Sequence, residues 1–468
     1  MTSSKNVLLI VCDQLRADFL SCYGGPDLTP NIERLAAQSM VFDRAWTPTP
    51  VCVPARMTLL TGMHGLSCPV EIPESVTTLP VPLRAAGYHT AGLGKFHLVP
   101  PRADVGFDEM ILAEDTGANM VLDDYHPELA RAGYIEWPHG LTNHDVLGVA
   151  TSLAEEKTIT PWNGDHAVRY LAERAENEAP FYGVVSFLKP HPPYDPPPAW
   201  LEKVDPADVP EPIGTDRPLE DYPEVAQLYR SALGYDEISR EQALVTRRHY
   251  LALVAQIDHE VGRILDALEE NGQADDTVVI FTSDHGDFLG DHHLYMKFYP
   301  HEPSAKIPLM IRAPELQTGR TDVPASLVDI APTVLGAAGL EPLPSHQGRD
   351  LLHLIEDGAR DGVLIKASHG PGYCWATRTH KYTAWGNGEE ELYDLTTDPD
   401  ELKNIASSDR EMASSMRASL IAELACLDAD RVDGMPACLR DGAIPHVANK
   451  PDRFSPQGAR FLHHRNAR

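Results

Sequence analysis

The chain is poor in cysteine and in positive charge, and it has no long hydrophobic run. Its 468 residues hold seven cysteines, an odd and scattered set with no Cys-x-x-Cys pair. That argues against a disulfide framework and fits a reducing compartment, so a cytoplasmic protein is expected. Lysine and arginine total 39 against 69 aspartates and glutamates, a formal net charge of -30. Such a surface repels nucleic acid and anionic membrane, and neither is expected as a partner. No window approaches the length of a membrane span. The start, "MTSSKNVLLIVCDQ", has one lysine and an apolar run that ends at Cys12-Asp13. It is too short for a secretory core and lacks a small-residue cleavage site, so no targeting segment is expected. Internal repeats and low-complexity tracts are absent as well.

What is present is an ordinary globular composition, 43% hydrophobic, in which apolar strand-length runs alternate with helical patterns. "NVLLIVCD", "PFYGVVSFLKPHPPY", "DTVVIFTSDHGD" and "IPLMIRAP" read as buried strands. "TPNIERLAAQS", capped by Thr29, "GDHAVRYLAERA" and the long "QALVTRRHYLALVAQIDHEVGRILDALEENG" read as helices. "SVTTLPVPLRAAGYHTAGLGKFH" reads as helix, glycine turn and strand. The alternation predicts a doubly wound α/β sheet with ligands at the carboxyl ends of its strands. Residues 192–222, rich in proline and acids, read as a surface excursion. Beyond about residue 360 the pattern changes to short antiparallel strands followed by a helix. We expect a catalytic domain over 1–360 and a smaller α+β subdomain with its tail over 361–468. The end, "RFSPQGARFLHHRNAR", is basic and His-rich, and is expected to dock on the acidic body.

Three strands end in polar residues that suit chemistry: Asp13-Gln14, the Lys189/His191 pair, and Asp284-His285. A buried strand-end acid with no cation is costly to desolvate. Two acids, a carboxamide oxygen and an imidazole would make a mixed oxygen–nitrogen site for a divalent cation. Each pair alone is more often a turn or a helix cap; at equivalent ends of different strands they point together to a metal. In "PVCVPARMTLLTG" Pro54 suits a first helical turn, which puts Cys52 at or beside the N-cap, where backbone NH groups favour negative charge. Arg56 is close enough to hold an oxyanion derived from that side chain. Free cysteine is also among the most buried residue types, so a core thiol is the plain alternative. In "GYHTAGLGKFH" Lys95 and His97 lie two apart and would face the same way on an extended segment. His191 is stiffened by neighbouring prolines, and Lys297 lies in "GDHHLYMKFY".

Together "CVPAR…MTLLTG" and "GYHTAGLGKFH" resemble the paired signature of the type I sulfatases of the alkaline phosphatase superfamily. "TSDHGDFLGDHHLYMK" resembles that family's third segment, and "KYTAW…EEELYDLTTDPDELKNIA" its C-terminal subdomain. The resemblance runs from the first strand to about residue 406. It implies an α/β/α sandwich with a large, mixed, mostly parallel sheet plus a small antiparallel one. It also implies that Cys52 is oxidised to Cα-formylglycine by a formylglycine-generating enzyme. Asp13, Gln14, Asp284 and His285, with modified Cys52, would bind one divalent cation. Arg56 would orient the aldehyde hydrate, and Lys95 and Lys297 would bind sulfate oxygens. His97 would be the base that releases sulfate, and His191 with Lys297 would meet the leaving oxygen. The implied activity is hydrolysis of a small-molecule sulfate monoester, by a homo-oligomer.

Gln14 stands where many members have a second acid, and His285 where many have Asn. Manganese is therefore as plausible as calcium. The Asp-Gln plus Asp-His combination also occurs in phosphonate monoester hydrolases and choline-sulfatase-like branches. The former generally lack the Gly-Lys-x-His block, which favours sulfate here. A non-catalytic anion-binding member of the fold is the remote alternative. The alcohol moiety is not legible: loops 110–160 and 192–235 would line its pocket, where Trp46, Trp162 and Tyr194 could line or simply pack.

Overall fold

The computed structural model describes residues 5–429, apart from 68–71, 73–74, 116–119, 121, 136–140 and 143. The basic tail expected to dock lies outside the described residues. In chain order the strands are β1 (Asn6–Asp13), β2 (Met40–Phe42), β3 (Ala45–Trp46), β4 (His89–Gly94), β5 (Glu109–Leu112), β6 (Phe181–Pro190), β7 (Thr277–Ser283), β8 (Leu309–Arg312), β9 (Gly319–Thr321), β10 (Ala325–Ser326), β11 (Gly362–Lys366), β12 (Gly372–Thr377), β13 (His380–Trp385) and β14 (Glu390–Asp394). The main sheet has eight strands in the order β5-β4-β6-β1-β7-β8-β2-β9. β5, β4, β6, β1 and β7 are parallel, with Val7 opposite Tyr182 and Asn6 opposite Thr277. β8 runs antiparallel to both β7 and β2, so the sheet is mixed.

β1 shows why these runs are strands. Its side chains alternate between two cores, Leu8, Ile10 and Cys12 on one face and Val7, Leu9 and Val11 on the other. A strand buried on both faces needs helices on both sides. Helices Pro30–Ala37, Ile159–Ala175 and Arg240–Glu270 cover the first face. Helices Cys52–Thr61, Pro80–Ala85, Ile330–Ala337 and Leu351–Asp357 cover the second. The long helix starts at Ser239, whose side chain and that of Gln242 cap each other's backbone NH groups. Thr29 precedes its helix as expected, but its hydroxyl accepts from Ser21 N instead of capping.

The second sheet is an antiparallel meander, β11-β12-β13-β14. One face packs Leu364, Trp375, Tyr382 and Leu392 under Ala413, Met416 and Leu420 of helix Arg410–Ala429. The other contributes Val363, Ile365 and Cys374 to a cluster with Trp46 and Ala305 of the main body. Beside that seam, buried Lys381 reaches Glu302 Oε1 at 2.8 Å and Glu401 Oε1 at 3.1 Å. One expectation is corrected: residues 192–197 are not a surface excursion but are buried. Lys189 accounts for this, donating to Pro193 O at 2.6 Å and Asp195 Oδ1 at 2.5 Å, which folds the segment back on β6. That also removes Lys189 from the strand-end pair, leaving His191 alone there.

Candidate active site

The carboxyl ends of β1, β4, β6 and β7 deliver Asp13, Lys95, His191 and Asp284 to one place. Helix Cys52–Thr61 points its N-terminus at them, with Cys52 as its first residue and Pro54 in its first turn. Val51 precedes it in extended conformation, so the helix begins abruptly at the cysteine. The thiol is 5% exposed and lies 3.3 Å from His285 Nε2, 3.2 Å from Lys297 Nζ and 3.7 Å from Asp13 Oδ1. Burial alone would raise its pKa, but Lys297, then Lys95 and His285, hold it well below the usual thiol range. The core-thiol reading therefore fails: this sulfur sits among cations.

Arg56, one turn on, is buried with its guanidinium spread over the two strand-end acids. Nη2 donates to Asp13 Oδ2 at 3.1 Å, and Nε lies 3.0 Å from Asp284 Oδ2. Nη1 donates to Ser186 Oγ at 2.7 Å and to the carbonyl of Lys95. Lys95 Nζ bridges Asp13 Oδ2 at 2.6 Å and Asp115 Oδ2 at 2.7 Å. Both acids and Arg56 thus tie three strand ends and the helix into one ionic cluster.

Asp13, Cys52, Asp284 and His285 each offer a donor atom within 4.8 Å of the others, and all four are buried. His285 Nδ1 faces Gly286 O at 2.9 Å, so Nδ1 is a donor and Nε2 is the ring atom turned toward the thiol. Burial and neighbouring Asp13 push the Asp284 carboxyl up, and its Oδ2 accepts no hydrogen bond among the described residues. Two carboxylates, an imidazole nitrogen and residue 52 form a donor set that suits one divalent cation. Gln14 adjoins it with a left-handed backbone, φ 65°. Its Nε2 donates to Asp287 Oδ2 at 2.5 Å, and its Oε1 accepts from Lys297 Nζ at 2.5 Å. Tyr194 OH donates to the same Asp287 oxygen at 2.5 Å.

His191 is 3% exposed, with Nδ1 2.9 Å from Pro192 O and Nε2 3.7 Å from Asp115 Oδ2. Burial, then Lys297 and Lys95, push its pKa down to about 4, so the ring is neutral with its proton on Nδ1. His97 joins the group through Asp115, with Nδ1 4.0 Å from Asp115 Oδ1, and its own backbone is left-handed at φ 55°. All ten residues expected from the sequence are therefore gathered in one cluster. Glu114, Asp115, Ser186 and Asp287 were missed. The first two follow β5 as an acid pair after a strand, the same signal that singled out Asp13 and Asp284. Trp46 and Trp162 pack: their indole NH groups bond Glu302 Oε1 at 2.6 Å and Glu128 Oε2 at 3.1 Å.

A mixed α/β sheet with a buried cation-type donor set, a cysteine at a helix N-terminus and converging lysines fits the hydrolases of the alkaline phosphatase superfamily that the sequence motifs resemble. Sequence comparison agrees. The family described as "Sulfatase" matches residues 5–340, and "N-sulphoglucosamine sulphohydrolase, C-terminal" matches 290–429. The chain belongs to the sulfatase family. It is 30% identical to an arylsulfatase of Clostridium perfringens over 92% of this chain and 96% of that one. It is 30% identical to a choline-sulfatase of Rhizobium meliloti over 88% and 84%. Among solved structures, the phosphonate monoester hydrolase of Agrobacterium radiobacter superposes with a TM-score of 0.76 at 26% identity, covering 90% of this chain and 96% of that one. Among the described residues no helix is long and apolar enough to cross a membrane.

Proposed function

We propose that the chain hydrolyses a small-molecule sulfate monoester, using a Cα-formylglycine made from Cys52 and one divalent cation. The observation that carries this is the setting of Cys52: first residue of a helix, backed by Arg56, facing Lys297, His191 and the Asp13/Asp284/His285 donor set. A hydrated aldehyde at position 52 supplies two hydroxyls on one carbon, and a cation held by Asp13, Gln14, Asp284 and His285 supplies the charge that favours ionising one.

The chain's own residues do the rest. Arg56 keeps both carboxylates apart from each other's repulsion and orients residue 52 from behind. Lys95 and Lys297 meet sulfuryl oxygens, where fixed positive charge offsets charge developing in the transition state. A sulfate anion beside His191 Nε2 favours the imidazolium that burial otherwise disfavours, and that N–H, with Lys297 Nζ, meets the leaving oxygen. His97 accepts the proton whose removal lets sulfate depart. The five described cysteines, Cys12, Cys22, Cys52, Cys374 and Cys426, are all free, which supports a reducing, cytoplasmic setting. With two carboxylates and one imidazole, manganese suits the donor set as well as calcium does.

Mass spectrometry of the peptide ending at Arg56, in active protein, tests the modification; an unmodified cysteine there overturns this mechanism. A second reading, phosphonate monoester hydrolysis, is favoured by the Agrobacterium structure. Parallel kcat/KM values on an aryl sulfate and an aryl phosphonate separate the two. Faster phosphonate turnover overturns the sulfate assignment. Metal content measured on the same preparations identifies the cation.

A further inference from the structure

The acid pair after β5 is the part of the site that neither the cation set nor the sulfate-binding lysines absorb. Glu114 is fully buried, and its Oε1 accepts from both Phe96 N and His97 N at 2.9 Å. Those two bonds clamp the turn in which His97 holds its left-handed backbone. Asp115 is 2% exposed and faces three bases at once: Lys95 Nζ at 2.7 Å, His191 Nε2 at 3.7 Å and His97 Nδ1 at 4.0 Å. Its Oδ2 is committed to Lys95. Its Oδ1 has no hydrogen-bond partner among the described residues, and neither has His97 Nδ1, the atom it faces. Both atoms are buried, although the His97 ring keeps 17% of its side chain exposed. A buried acceptor and a buried ring nitrogen left unpaired are both penalised, so a small ring rotation that joins them is favoured. Catalytic hydrogen bonds are often long in a free enzyme and tighten in its complexes.

We propose that Asp115 is the positioning residue of His97: its Oδ1 takes the imidazole's Nδ1–H, leaving Nε2 as the lone-pair atom that serves as base. This rests on the sulfatase reading above. In the sulfate-releasing step the proton of the free hydroxyl on residue 52 passes to Nε2. The O–H electron pair forms the carbonyl bond, the carbon–oxygen bond to sulfate breaks, and sulfate leaves with that pair. Water then re-adds to the aldehyde. The imidazolium formed is held by the Asp115 carboxylate, as in other His–carboxylate pairs.

His97, Glu114 and Asp115 also offer donor atoms within 4.8 Å of one another, which suits a second cation. Lys95 argues against it, since its ammonium already neutralises Asp115 at contact distance. A second cation is therefore made an outcome of the test.

Asp115→Asn is informative because Lys95 demands an acceptor. The amide oxygen must stay on Lys95, so the NH2 group turns to His97 Nδ1 and forces the opposite tautomer. The first measurement is 15N NMR of histidine-labelled protein carrying unmodified Cys52, with His97 assigned by difference from His97→Gln. The expected wild-type form is Nδ1–H, shifting toward Nε2–H in Asp115→Asn. The second is stopped-flow turnover of an aryl sulfate by the modified protein. Asp115→Asn is expected to release one equivalent of phenol per modified chain in a burst, with kcat about 100-fold or more below wild type. An Nε2–H tautomer in wild type overturns the proposal. So does burst-free turnover at the wild-type rate, or a second bound divalent cation that Asp115→Asn removes. If Asp115→Asn does not fold, the wild-type spectrum decides. If modified wild type turns over no sulfate ester, the sulfatase reading fails while the tautomer result still stands.

Discussion

Replacing Arg56 with methionine tests whether the site is held together by one guanidinium. The side chain is 4% exposed and serves Asp13, Asp284, Ser186 and the Lys95 carbonyl. Methionine keeps much of the volume and removes the charge and all four contacts. Asp13 retains Lys95 at 2.6 Å, so Asp284 bears most of the loss. Breaking a buried ion pair from one side costs about 3–5 kcal/mol, and the surviving Lys95 contact argues for the middle, about 4 kcal/mol. Arg56→Lys keeps a charge but cannot span two carboxylates, a hydroxyl and a carbonyl from one nitrogen, so about half that cost is expected. The assay is urea unfolding followed by tryptophan fluorescence at neutral pH, with Cys52 unmodified and a chelator present. A divalent cation at 100 times its Kd adds about 2.7 kcal/mol to wild type by mass action. At that same concentration it should add more to Arg56→Met, where two carboxylates have lost a competing cation. If Arg56→Met stays within about 1 kcal/mol of wild type in chelator, as an exposed pair would, the cluster does not hold the site.

Three further outcomes are expected. Gly94 ends β4 at φ 102°, and an added Cβ would overlap the Ser186 carbonyl oxygen and lie 2.7 Å from Asn163 Nδ2. Gly94→Ala should cost about 3 kcal/mol or more from strain and overpacking and lower activity by displacing Lys95, read by unfolding and kcat/KM; an unaffected variant would show that the strand end yields freely. Buried His64 accepts from Leu66 N at Nδ1, 3.1 Å, and faces Leu364 O with Nε2, also 3.1 Å. Burial first, then Lys366 and Arg360 against the carbonyl bond, take its pKa from 6.5 to about 4. The unfolded chain thus binds this proton more readily, so its contribution is full above about pH 6.5 and is lost as pH falls toward about 4. The loss amounts to about 3 kcal/mol, and His64→Gln should flatten that part of a stability–pH curve relative to wild type. Lys189→Met removes the tether of the 191–195 segment and the buried cation facing Asp195, so it should cost about 3 kcal/mol of stability and lower kcat through His191. Equal kcat would show that the prolines alone hold the histidine.

Local sequence was enough for the parallel core and for most of the site. β1, β6 and β7 are apolar runs of strand length that end in polar residues, and in a parallel sheet the strand ends necessarily gather on one edge. The Cys-x-Pro-x-Arg stretch carries its own geometry, because proline in the first helical turn sets cysteine and arginine on the same end of one helix. What the residues could not say by themselves was which polar groups share a partner. Lys189 and Lys95 look alike in the chain, yet one folds a loop and the other bridges two acids. Asp115 follows a strand much as Asp13 ends one, and Asp287 lies inside the Ser-Asp-His-Gly-Asp run, yet neither position names its partners. They become significant only because β5 lies beside β4, and because Tyr194 and Gln14 converge on one carboxylate. Periodicity reports which face of an element is buried, and a motif reports which groups lie close in the chain. Pairing among charges drawn from six segments depends on distances that only the closed sheet creates, and there the fold decided the site.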